Sequence, residues 1–240
     1  MRKFNWHTIR LILIIFVMIF LYSFSTKRNN ERKIRKIDIQ FDSNENMFLT
    51  HEMVNNLLIQ NLGGSSTIQK DKVALNALES SLNSHEMIEK AQVFFTIDGI
   101  LNTRITQKTP IVRVLTNSGS YYLDKKGKKM SLSSNFSARV PLVSGAISEE
   151  NCKPYLFLFN EIKNDDFLNQ NIIGSEIMPS GNVMLTNRSY KFKIAFGKPI
   201  NVKKKLDNYK AFYQYASKDT LIKNYKEINV MFTQQVVCKK

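Results

Sequence analysis

Residues 91–107 read AQVFFTIDGILNTRITQ. Before Asp98-Gly99, Val93, Phe95 and Ile97 recur at every second position. After it, Leu101, Thr103 and Ile105 do the same. A period of two is the spacing of a strand with one buried face, and Asp-Gly between two such runs is a strong hairpin signal. Upstream, IRKIDIQF (34–41) places Ile37, Ile39 and Phe41 on one face of another strand. DSNEN (42–46) reads as a turn. LTHEMVNNLLIQNLGG (49–64) reads as a helix: Thr50 supplies an N-cap oxygen and Glu52 suits the positive end of the dipole. Met53, Val54, Leu57, Leu58 and Leu62 form its apolar face, and Gly63 and Gly64 end it. DKVALNALESSLNS (71–84) reads as a second helix, capped by Asp71, with Ala74, Leu75, Leu78 and Leu82 at helical spacing. The order strand, helix, helix, strand, strand predicts two helices on one face of a small mixed sheet.

Downstream, Pro110 restarts the pattern. IVRVL (111–115), SYYLD (120–124) and KKMSL (128–132) are short strand candidates divided by the turns NSG and KKG. SARVPLVSG (137–145) reads as a connector. Pro154 opens a helix through YLFLFNEI (155–162). NIIGSEIM (171–178), NVMLT (182–186) and SYKFKIAFG (189–197) are strands, with PSGN turning between the first two. The third sets Tyr190, Phe192, Ile194 and Phe196 against Lys191 and Lys193. VKKKLDNYKAFYQYAS (202–217) is an amphipathic helix with Leu206, Tyr209, Phe212, Tyr213 and Ala216 inward and its lysines on a solvated face. INVMFTQQVVCKK (228–240) alternates again. Ile228, Val230, Phe232 and Val236 face one way; Asn229, Met231, Thr233 and Gln235 face the other. It reads as one closing strand. The expected class is α+β: an apolar amino-terminal helix, a β-α-α-β-β domain, then a mostly antiparallel β domain with flanking helices.

The chain has 240 residues, 43% hydrophobic and 11% aromatic, so it has the material for packed cores and is not a disordered chain. Its formal net charge is +15, a sign that suits nucleic acid, an anionic membrane surface or an acidic partner alike. The amino terminus narrows the choice. MRKFNWHTIRLILIIFVMIFLYSFSTKR (1–28) holds an unbroken apolar run from Leu11 to Tyr22. Counted from Ile9 to Phe24, it approaches the ~20 residues that cross a bilayer. Trp6 and Tyr22 sit where interfacial anchors belong. A cleaved signal peptide and an uncleaved signal anchor both fit; Ser23-Phe24-Ser25 is a poor cleavage site, and the bulky Phe20-Leu21-Tyr22 favours the anchor. Arg2, Lys3 and Arg10 precede the span, whereas Lys27, Arg28, Arg32, Lys33, Arg35 and Lys36 follow it. A literal positive-inside count keeps the bulk of the chain in the cytoplasm, but long domains translocate largely regardless of charge.

Reactive motifs are missing. His51 and His85 stand in HEMVN and HEMIE, where a zinc-protease helix needs a second His four residues on. Those positions hold Asn55 and Glu89. There is no Gly-x-Ser-x-Gly elbow and no glycine-rich phosphate loop; KKGKK (125–129) reads as a hairpin turn. Asp165-Asp166 reads as the start of a turn or helix. Cys152 and Cys238 allow a disulfide without requiring one. Aromatics interleave with lysines in SYKFKIAF, but one aromatic strand face is better read as core than as a base-stacking platform. The residues therefore predict no catalytic residue, no cofactor, no metal, no small-molecule substrate and no nucleic acid. They point to an anchored protein that works by binding others, with β-augmentation on an open sheet edge as a fitting mode.

The order of features resembles the FtsQ/DivIB cell-division family. MIEKAQVFFTIDGILNTRITQKTPIVRV (87–114) resembles the family's I-x-x-A-x-V…L-x-I-x-I…P-I-A passage. YYLDKKGKKM resembles its Asp-x-x-Gly hairpin, VPLVSG its lP-x-l-x-G, and KLDNYKAFYQYA with YKEINVMFTQQVV its last helix and strand. The resemblance implies a cytoplasmic segment at 1–8, a transmembrane signal anchor at 9–25, a basic stalk at 26–33, a POTRA domain at 34–108 and an FtsQ-type β domain at 109–240. It also implies a non-enzymatic, single-pass inner-membrane scaffold with a cytoplasmic amino terminus and periplasmic domains, working at the midcell septum. Its partners would be of the FtsB–FtsL type, with FtsK, FtsW and FtsI types as further members. The docking edge would map to Tyr225, Ile228, Asn229, Val230, Met231, Phe232, Thr233, Gln234, Gln235 and Val236. Here the chain departs from the family's I-D-x-R-Y form, with Asn229, Met231 and Phe232 in its place, so only backbone pairing carries over. Two other classes stay open. One is a POTRA-containing export or outer-membrane assembly component, which usually carries POTRA repeats and a barrel not found in these residues. The other is a periplasmic enzyme with an unrecognised site.

Overall fold

The computed structural model describes residues 6–30, 33–42, 48–63, 73–218 and 220–240. Arg2, Lys3, Arg32, most of the DSNEN turn, Gly64 and the expected cap Asp71 lie outside the described residues. Helix α1 runs Trp6–Asn30. Within it, Ile9–Arg28 is a 20-residue stretch of mean hydropathy 2.2. At 1.5 Å per residue that is about the thickness of a bilayer core. The side chains from Leu11 to Tyr22 are all exposed, so this helix is not the core of a soluble domain. It continues beyond the expected span through Lys27 and Arg28, so the start of the expected stalk is helical.

The rest of the described chain divides into two compact units, broadly before and after Gln107. The first holds β1 (Lys36–Phe41), α2 (His51–Asn61), α3 (Leu75–Asn83), β2 (Ile88–Phe95) and β3 (Ile100–Gln107), the expected order. Its sheet runs β1-β3-β2, with β1 parallel and β2 antiparallel to β3. Thr50 caps α2: its hydroxyl accepts the Met53 amide at 3.2 Å. Gly99, at φ +81, turns the hairpin. Val54, Leu58, Leu78, Leu82, Val93 and Leu101 are buried in the core. Truncating one such leucine to alanine costs about 2–5 kcal/mol. Met53, expected on the inner face of α2, is exposed instead. The Thr103 hydroxyl is buried without a partner.

The second unit holds β4 (Pro110–Thr116), β5 (Gly119–Asp124), β6 (Lys129–Met130), β7 (Leu142–Gly145), α4 (Lys153–Asn164), α5 (Asp166–Asn171), β8 (Ile172–Ile177), β9 (Val183–Asn187), β10 (Lys193–Gly197), α6 (Val202–Ala216), a 3-10 turn (Thr220–Asn224), β11 (Glu227–Asn229) and β12 (Val237–Lys239). They form one nine-stranded sheet, ordered β12-β11-β10-β9-β8-β7-β4-β5-β6. Five of its eight pairings are antiparallel. The KKG turn is held by Asp124, whose carboxylate accepts the Lys126 and Lys128 amides at 2.9 and 2.8 Å.

Three expectations change here. The 137–145 connector contains β7, a central strand parallel to both β4 and β8. At its end Gly145 (φ +91) lies so close to β8 that a Cβ would sit 2.1 Å from the Ile177 carbonyl oxygen. SYKFKIAFG is strand only from Lys193, although Phe192, Ile194 and Phe196 are buried as expected. And 228–236 is not one strand: the chain leaves β11 after Asn229 and returns as β12, antiparallel to it.

The core beside this sheet takes Leu158, Phe159 and Ile162 from α4 and Leu206 and Tyr209 from α6. Tyr209 accepts the Asn187 side-chain amide at 2.8 Å; burial pushes its phenol pKa far up, so it stays neutral. Asp165 caps α5 through the Leu168 amide (2.9 Å) and pairs with Lys210 of α6 (2.9 Å). Burial would raise its carboxyl pKa, but the Leu168 amide and the Lys210 ammonium outweigh this and hold it below the usual range.

Candidate partner-docking edge

Among the described residues no three His, Cys, Asp or Glu side chains group as a metal centre would require, and the histidines stand apart. His51 is exposed at the start of α2, edge-on to the Phe41 ring at 4.9 Å. His85 accepts the Met87 amide at the turn before β2. Cys152 and Cys238 are both free thiols, the first fully buried and the second half-buried. A surface cleft of about 740 Å3 is lined by Arg139, Pro141, Leu142, Ile173 and Arg188, among others, with no acid, thiol or imidazole in its lining.

The more informative feature is the end of the large sheet. β10 pairs parallel with β11 (Ile194↔Ile228), and β11 pairs antiparallel with β12 (Ile228↔Cys238). Both edges of β11 are therefore occupied. Beyond β12 the sheet has no further strand among the described residues. An edge strand of this kind offers a row of backbone donors and acceptors to any incoming strand.

The residues expected at the edge divide into two sets. Ile228 and Val230 are 0% exposed: their side chains close the core, and the Val230 amide donates to the Ala195 carbonyl at 3.0 Å. Tyr225 packs against that core, edge-on to Phe212 at 5.9 Å, with the Lys240 ammonium 6.0 Å from its ring centre. Val236 is half-buried against it too. The second set faces solvent. Met231 and Phe232 are 41% and 54% exposed, and Gln234 and Gln235 are exposed beside them. Asn229 turns its side-chain Oδ1 back to accept the Met231 amide at 2.9 Å, the local hydrogen bond that starts the reversal. Thr233 is half-buried, and its carbonyl accepts the Asn208 side chain at 3.2 Å.

Val237, Cys238 and Lys239 of β12 form the outermost strand, and sequence reasoning left them out. The alternation ran unbroken through 230–236, with no glycine or proline to mark a reversal. Lys205 was also missed. It is only 3% exposed, although it sits in a lysine triplet read as a solvated face. The spacing Val202, Lys205, Leu206, Tyr209 puts it on the apolar side of α6, and that signal was available.

Comparison with known proteins assigns both units. Residues 109–239 match the family described as FtsQ/DivIB, C-terminal related, and residues 33–106 match the POTRA-like domain. A comparison with the curated proteins found no match.

Proposed function

Because the chain belongs to the FtsQ/DivIB family of non-catalytic cell-division scaffolds, we propose that it is a single-pass inner-membrane protein that docks a divisome partner on the outer edge of β12. In this reading α1 is an uncleaved signal anchor, residues 1–8 are cytoplasmic, and both folded units are periplasmic, assembled at the midcell septum. The partner is of the FtsB–FtsL type, with FtsK, FtsW and FtsI types as further contacts. The observation that carries the reading is the finish of the nine-stranded sheet, where β12 is the last strand and carries exposed apolar side chains beside it.

The docking surface combines the backbone of β12 with the side chains of Met231, Phe232, Thr233, Gln234 and Gln235 and the exposed Val237. Ile228, Asn229, Val230, Val236 and Tyr225 lie behind it and shape it. Main-chain pairing supplies affinity in this mode, and flanking side chains supply choice of partner. It needs neither an acid at 229 nor an arginine at 231, and the chain has neither.

Deletion of residues 237–240 from the full chain tests this. The expected result is loss of capture of the co-expressed FtsB–FtsL-type pair and loss of the midcell ring of a fluorescent fusion, with both folded units retained. Capture that survives the deletion sinks the edge-docking reading.

A further inference from the structure

Helix α6 holds the chain that leads into β12 directly at one point and supports its seat at another. Asn208 donates its side-chain amide to the Thr233 carbonyl at 3.2 Å, in the middle of the β11–β12 reversal. One turn earlier on the helix, the buried Lys205 ammonium donates to the carbonyls of Phe196 (3.1 Å) and Lys198 (2.9 Å) and lies 4.9 Å from the centre of the Phe196 ring. Those two carbonyls flank Gly197, which sits at φ +72. Met231 is seated directly on that glycine: a Cβ there would lie 2.8 Å from Met231 Cγ. No residue other than glycine fits both the backbone conformation and the contact.

A buried ammonium normally calls for a carboxylate. Lys205 has none among the described residues, and burial lowers its pKa. Its two backbone acceptors and the aromatic face are what stabilise it there. They also immobilise the loop on which Met231 rests.

We propose that Lys205 and Asn208 are positioning residues for the docking edge. Lys205 fixes the Gly197 seat for Met231, and Asn208 fixes the reversal at Thr233. Together they hold β12 in the register a partner strand meets, so that little ordering remains to be done on binding. Neither side chain touches the partner. The proposal rests on the edge-docking reading above, and its structural half is measured separately.

The two cysteines provide the measurement. Cys238 lies in β12 opposite Ile228, while Cys152 is 1% exposed in the core. In the full chain in detergent micelles, Asn208→Ala should raise the alkylation rate of Cys238 about five-fold, the population shift that follows loss of one hydrogen bond. Cys152 should stay protected, and capture of the FtsB–FtsL-type pair should weaken by a similar factor. Asn208→Asp, which keeps the shape but loses the donor, should match alanine; Asn208→Gln, which keeps the donor, should recover part of both effects. Lys205→Met should raise Cys238 reactivity further with Cys152 still protected.

An unchanged Cys238 rate in Asn208→Ala overturns the proposal. So does a parallel rise at Cys152 in Lys205→Met, which would make Lys205 a support of the whole core. Higher Cys238 reactivity with undiminished capture, in a protein whose capture needs residues 237–240, overturns the link from clamp to docking. Capture that ignores the deletion removes the docking premise itself, whatever the thiols report.

Discussion

On β2 of the three-stranded sheet, the outward amides of Ala91 and Val93 are taken by Asn83 and Glu79 of α3, at 2.7 and 2.6 Å. On β12 of the nine-stranded sheet, no described residue does the same for the outermost strand. Both are edge strands, and both have an exposed phenylalanine nearby, Phe94 at 45% and Phe232 at 54%. Open edges invite unwanted pairing, and proteins usually blunt them. This chain blunts one with a carboxylate and an amide four residues apart on a helix and leaves the other bare. An edge left open in one unit, when an edge in the other is closed, supports a use for the open one.

The sharpest way to break that contrast is to place the same charge at each edge. Phe232→Glu should weaken capture of the FtsB–FtsL-type pair roughly a hundredfold, the loss typical of a central apolar anchor. Phe94→Glu should leave capture unchanged. Equal effects in a pull-down titration would show that the two edges are not used differently. Next in size, Glu79→Ala with Asn83→Ala should uncap β2, cost about 2 kcal/mol in urea unfolding, and promote self-association visible by light scattering. If the doubly substituted chain is as stable and as monodisperse as the parent, the cap is not what protects β2.

Among the described residues, each sheet also buries one hydroxyl without a partner, Thr103 in the first unit and Ser175 in the second. Thr103→Val and Ser175→Ala should each stabilise by about 1 kcal/mol, because an unsatisfied polar atom is removed. Similar gains in urea titrations would show that the units differ at their edges rather than in their cores. The smallest effect is expected at Asp165, whose side chain and that of Lys210 are each 30% exposed. Asp165→Asn keeps a capping oxygen and loses the charge, costing a few tenths of a kcal/mol at neutral pH. The folded carboxyl pKa is lowered. The stabilisation it confers is therefore complete above the unfolded carboxylate value, about 4, and fades as pH falls through the lower folded value. Unfolding curves of parent and variant should converge below pH 4. Capture should be unaffected, which separates loss of stability in this unit from loss of the edge.

Local signals made much of the fold legible. Thr50, Asp98-Gly99, Pro154 and the alternation of 93–105 each act through neighbours in sequence, and each element formed where its signal lies. What stayed hidden depended on distant chain. β7 is four residues long and becomes a strand because β4 and β8 flank it. The reversal at 230–236 uses Asn208 and Gly197, which sequence periodicity cannot relate to it. The final strand was expected over 228–236, whereas the outermost described strand is 237–239, since a period of two continues unchanged through a turn that keeps its apolar residues in step. The cap on β2 was invisible for the same reason: Glu79 and Asn83 look like solvated helix residues until the strand beside them is known.

The strand order also carries a schedule. β12 is the last described strand to leave the ribosome, its neighbour β11 rests on β10, and α6 lies between β10 and β11 in the chain. Pairing β10 with β11 must wait for that crossover to be made, and non-local pairings of this kind form late. Until residue 239 has emerged, the growing sheet ends on β10 or β11, with a different register and different side chains. A strand that paired with β12 would therefore meet an edge that exists only once β10 and β11 have come together.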